Sequence, residues 1–108
     1  MQKMLLCSIV VLVSSLVCAA DNDATSFQKE NDAAMSRMMA AMSVTPTGDV
    51  DKDFVATMVP HHQGAIEMAQ AELRYGHNEQ LRRIAQEIIV DQTQEIAVMR
   101  LAVAEHHK

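Results

Sequence analysis

The sequence predicts an all-α fold: a long antiparallel helix hairpin plus a shorter N-terminal helix, forming one domain over residues 21–108. Three observations carry this prediction. Apolar residues recur at helical spacing over three long stretches, as in Met35, Met38, Met39 and Met42, the i, i+3, i+4, i+7 pattern of one helix face. Clustered turn chemistry is confined to Thr45-Pro46-Thr47-Gly48 and to Gly76-His77, which separate those stretches. No segment shows strand alternation, an internal repeat or low complexity.

Residues 1–20 are read apart from the domain. Met1-Gln2-Lys3 is a short positive start, Leu5 to Val17 is almost wholly apolar, and Cys18-Ala19-Ala20 supplies small residues before Asp21. This is the pattern of a secretory signal peptide cleaved after Ala20, too short and wrongly flanked for a membrane anchor. A lipid anchor on Cys18 is the competing reading, and the bulky Val17 before it argues against it. A periplasmic or secreted location follows. Both cysteines, Cys7 and Cys18, lie in this segment, so the mature chain is expected to have no thiol and no disulfide.

The formal net charge is −5 and becomes more negative when Lys3 is removed. Nucleic-acid binding needs a basic footprint and is excluded as a function class. An anionic membrane surface is equally unsuited to the mature chain. An acidic surface does attract cations.

The first helix is expected to start near Thr25, where Thr25-x-x-Gln28 fits a capping box, and to end about Ser43. The second begins at Asp49 or Asp51, either able to cap its first amides, and runs to Tyr75. Gly76 follows in the position favoured for a left-handed cap. Pro60 lies inside and predicts a kink or a restart. Asn78 caps the third helix, which runs to about His106 with Leu81, Ile84, Ile88, Ile89, Ile96, Met99 and Val103 on its apolar face. At about 1.5 Å per residue the second and third helices are roughly 37 and 42 Å long and the first about 27 Å. The first helix cannot cover the whole apolar stripe of the hairpin, which predicts a homodimer or higher oligomer.

The densest chemistry is in Met58-Val59-Pro60-His61-His62-Gln63 and the downstream Met68. Met58, His61, Ala65 and Met68 share one helical stripe, with His62 beside it. Imidazole nitrogen with thioether sulfur, and no thiol nearby, suits copper, Cu(I) above all. Adjacent residues point about 100° apart on a helix, so His61 and His62 do not easily share one ion unless Pro60 relaxes the helix. Met35, Met38, Met39 and Met42 form a second soft-donor stripe. The bland reading is that methionine fills the core of a chain with two Phe, one Tyr and no Trp. His77 in the turn and His106-His107 at the end are weaker candidates.

Other chemistries fit poorly. Asp49-Val50-Asp51-Lys52-Asp53 resembles the start of a calcium loop, but Phe54 stands where Gly is needed and Pro60 where Glu is needed. These acids are read as helix caps. No Glu-x-x-His pair exists for a di-iron site, although Glu67, Gln92 or Glu95 can orient an imidazole. Cysteine nucleophile, Gly-rich phosphate loop and serine motif are all missing, so no enzyme is expected. Haem held by Met and His is a rival; covalent haem is excluded because Cys-x-x-Cys-His does not occur.

Phe54-x-x-x-Met58-x-Pro60-His61-His62-Gln63-x-Ala65-x-x-Met68-Ala69, then Ile84-Ala85-x-x-Ile88 and Gln92-x-x-Glu95-Ile96-x-x-Met99, resembles the family catalogued as domain of unknown function 305. The likeness runs from about Asp51 to Val103. It implies a ferritin-like helical bundle, and for exported members copper binding and copper tolerance. By this resemblance Met58, His61, His62, Met68 and Met99 are expected ligands. A tryptophan common in the family after the last methionine is missing here, where Ala102 occupies the region. The expected function is therefore a copper buffer or chaperone, Cu(I) preferred, that exchanges the ion with a copper-handling partner protein. His61 would supply nitrogen, Met58, Met68 and Met99 sulfur, and Met35 to Met42 a second site or transfer surface. The alternative is a Met-rich interaction module with no essential metal.

Overall fold

The computed structural model describes the backbone of residues 5–105 and the side chains of residues 22–105. Helix α1 spans Leu5–Met42, α2 Val50–Tyr75 and α3 Glu79–Glu105, with no strand among the described residues. The side chains of the predicted signal segment, residues 1–20, and the pair His106-His107 lie outside the described residues. Within residues 22–105 no helical stretch is long and apolar enough to cross a membrane.

The first helix does not begin near Thr25. It is continuous from Leu5, so Thr25 and Gln28 lie within it and form no capping box at a helix start. Between Ala19 and Ala24 the chain reads Ala-Ala-Asp-Asn-Asp-Ala, which contains neither Gly nor Pro to end a helix. The part after the expected cleavage point, Asp21 to Met42, is still shorter than α2 or α3.

The other boundaries follow local chemistry. Asp49 is the N-cap of α2, and its carboxylate accepts from the amides of Asp51 and Lys52 at 3.1 and 3.2 Å. Asp53 closes the preceding loop by accepting from Thr47 N, Thr47 Oγ1 and Gly48 N, which holds its carboxyl below the usual range. Gly48 in that loop has φ +87, a backbone region open mainly to glycine. Asn78 Oδ1 accepts from Leu81 N at 3.0 Å and caps α3. Pro60 does not restart α2, which runs unbroken through it.

Gly76 differs from expectation. Its φ of −77 and ψ of 151 are extended, not left-handed. The short connection must reach the Asn78 cap at once, and an extended residue spans that gap where a left-handed one would curl back. Arg82 clamps the corner by donating to the carbonyls of Leu73 and Gly76 at 2.7 and 3.0 Å.

Helix α2 sits between α1 and α3, which are not in contact among the described residues. The molecule measures 85 × 25 × 14 Å, little more than one helix thick. α2 must therefore bury two stripes. Gly64 and Ala71, seven apart, share one face, and Gly64 meets Met38 of α1. His62, Ile66 and Ala69 form the other, with His62 against Glu95 of α3. The buried apolar residues are mostly small, Ala34, Ala69, Ala71 and Ala85 beside Met38, Ile66 and Ile96, and no large side chain among those described is fully enclosed. Leu81 and Ile84, expected on the covered face of α3, remain half-exposed, because α1 does not reach them.

The two broad faces of this layer differ. Arg37 bonds Glu67 at 2.6 and 3.0 Å. Arg74 bonds Glu30, which also accepts from Tyr75 Oη at 2.7 Å. These pairs mark a polar face and show that α1 and α2 are antiparallel. Phe54 and Met58 on α2, and Met35, Met39 and Met42 on α1, lie about half a turn away at 100° per residue. The opposite face is accordingly apolar and rich in methionine.

Candidate metal centre

The α2–α3 hairpin assembles the best donor cluster. His62 Nε2 lies 2.5 Å from Glu95 Oε2, so these residues stand at the same level of the antiparallel pair. Four residues before His62 is Met58, and four after Glu95 is Met99. Counting outward from the contact, the two methionines again share a level, one turn or about 6 Å along the axes. They line a groove of about 590 Å³ with His62, Glu95, Phe54 and Val98. Asp91 and Gln94 continue its α3 wall.

His62 is the single buried polar residue among those described, at 9% exposure. Its Nδ1 is buried with no hydrogen-bond partner, as is Gln92 Oε1. Interior polar atoms are rarely left bare. An imidazole with an unpartnered nitrogen and two thioethers lining the same groove is a donor set that fits a soft cation.

The remaining sequence candidates lie elsewhere. His61 is exposed, its ring centroid 6.1 Å from that of His62 and its plane turned by 61°; the roughly 100° step between helix neighbours carries it out of the groove. Met68 is half-buried and lies about 9 Å along the axis from His62. Met35, Met38, Met39 and Met42 share one stripe of α1, but their burial differs. Met38 is buried against Gly64, Met42 is half-buried, and Met35 and Met39 are 39% and 59% exposed. The Arg37–Glu67 and Glu30–Arg74 pairs set the register, which brings Met35 level with Met68 and Met42 level with His61 and His62. His77 is exposed, 3.4 Å from Asp23.

Of the three residues expected to orient an imidazole, Glu95 does so, while Glu67 is taken by Arg37 and Gln92 keeps a bare oxygen. Phe54 and Val98 escape sequence reasoning as site residues. The four-residue spacing Phe54, Met58, His62 is a usable signal for the first; Val98 has none. Among the described residues no three His, Cys, Asp or Glu side chains gather around a point that would hold an ion, so an ion in the groove relies on thioether sulfur.

Comparison with curated proteins returned no match. A family model described as domain of unknown function (DUF305) matches residues 13–103. That span contains the Met58 to Met68 segment, the Glu95 contact and Met99, and the chain belongs to the DUF305 family.

Proposed function

We propose that this protein is an exported copper-binding protein, a buffer or chaperone that takes Cu(I) into the α2–α3 groove through Met58, His62 and Met99. The observation that carries the reading is buried His62, whose Nδ1 has no hydrogen-bond partner, lining one groove with Met58 and Met99. Thioethers need no deprotonation and remain ligands in an acidic or oxidising compartment. Zinc, calcium and magnesium pass them over. Two or three soft donors near the surface exchange an ion by ligand substitution, which suits handing it to a partner protein and requires no catalysis. The apolar start of the chain supports export to the periplasm. His61, Met42, Met35 and Met68 lie where they can pass an ion along the methionine face.

The test is an anaerobic Cu(I) titration against a chromophoric chelator, with Zn(II) as control. Stoichiometric Cu(I) binding with weak zinc binding is expected. His62→Ala, and Met58→Leu with Met99→Leu, should each weaken it at least tenfold, and His61→Ala much less. Equal affinity in all variants would refute the site. The second reading, a metal-free interaction module, draws on the exposed Met35 and Met39; it predicts no competition with the chelator and tolerance of Met→Leu changes.

A further inference from the structure

We infer that Glu95 holds His62 in its Nε2–H tautomer and thereby makes Nδ1 the nitrogen offered to the metal. The inference rests on the copper reading above and adds the atom through which His62 works. A neutral imidazole has one proton for two nitrogens, and a carboxylate only accepts. The 2.5 Å contact between Nε2 and Glu95 Oε2 therefore puts the proton on Nε2. The swapped tautomer would face two lone pairs at that distance. Nδ1, by contrast, is buried with no hydrogen-bond partner. The arrangement that satisfies both observations is Nε2–H to Glu95 with a bare Nδ1.

Position supports the same division of labour. Glu95 reaches His62 from α3, while Met58 lies one turn before His62 on α2, the side toward which helical side chains lean. Glu95 is thus a positioning residue and not a ligand. It sets ring orientation and tautomer from outside, as partners of metal-binding histidines do.

The experiment is long-range 1H–15N correlation of the histidine rings in the full metal-free chain near neutral pH, with His62 assigned from the signals lost in His62→Gln. The expected spectrum has an unprotonated Nδ1 and a protonated Nε2. Glu95→Ala should release the ring to a mixture of tautomers and weaken Cu(I) binding roughly 10- to 100-fold. Glu95→Gln, whose amide oxygen still accepts, should keep the tautomer and most of the affinity. Added Cu(I) should move the Nδ1 resonance and leave Nε2 protonated. A protonated Nδ1 in the metal-free chain, Cu(I) on Nε2, or an unchanged tautomer in Glu95→Ala overturns the inference. If the Nε2–H tautomer and its dependence on Glu95 are found but no Cu(I) is taken from the chelator, the copper reading fails and the Glu95 geometry stands.

Discussion

Replacing Gly64 by alanine tests how closely α1 and α2 approach. A Cβ built at Gly64 would lie 2.7 Å from Met38 Sδ and 2.9 Å from Met38 Cβ and Cγ. The sulfur could swing aside, but Met38 Cβ is fixed to its backbone, so the helices must separate by several tenths of an ångström. Overpacking of this kind costs about 1–3 kcal/mol. Against it stands about 1 kcal/mol gained when Gly becomes Ala inside a helix. The net expectation is a loss of about 1 kcal/mol, a fall in Tm of roughly 4–8 °C for a domain of this size. Thermal unfolding followed by circular dichroism would measure it, in the wild-type chain and in a Met38→Ala background. Removing Sδ and Cγ there relieves two of the three close contacts, so Gly64→Ala should be less costly by about 1 kcal/mol, within the range of coupling between touching residues. A Gly64→Ala chain that is more stable than wild type, by the same amount in both backgrounds, would refute the close approach.

Three further outcomes are expected. Gly76→Ala should be neutral or stabilise by up to about 1 kcal/mol, because φ is −77 and the new Cβ meets only the carboxylate end of Glu72, which can rotate away; a loss of about 1–2 kcal/mol in urea unfolding would restore the left-handed cap. Tyr75 is the single tyrosine, and its hydrogen bond to Glu30 pushes its pKa above the ordinary 10.0, so that bond stabilises the fold below about pH 10 and is lost as pH rises through the folded value. Phenolate absorbance should show a raised midpoint that Glu30→Gln lowers; identical midpoints would contradict the contact. The bare methionine face, with Phe54 and Val98 both more than half exposed, predicts self-association, and sedimentation velocity that finds only monomer at tens of micromolar would exclude it.

The helical class, the three elements and the caps at Asp49 and Asn78 were legible because each depends on residues close in the chain. The Met58–His62 spacing was legible for the same reason: residues four apart on a helix share a face whatever lies around them. The N-terminal boundary expected at Thr25 does not form, because a good capping box does not end a helix that reaches it from upstream. Gly76 departs from its expected geometry because glycine after a helix is most often left-handed, while here the distance to the next cap demands an extended link.

Local pattern determined that this chain is helical, acidic and furnished with soft donors, since spacing and composition act over one or two turns. Only the tertiary structure decided which donors meet. The pairing of α2 with α3 set Met99 level with Met58 and chose Glu95 for His62, while the contact of Met38 with Gly64 withdrew one methionine into the α1–α2 seam. Those choices depend on how far helices can approach and at what register, which small residues on one helix settle jointly with the side chains of another.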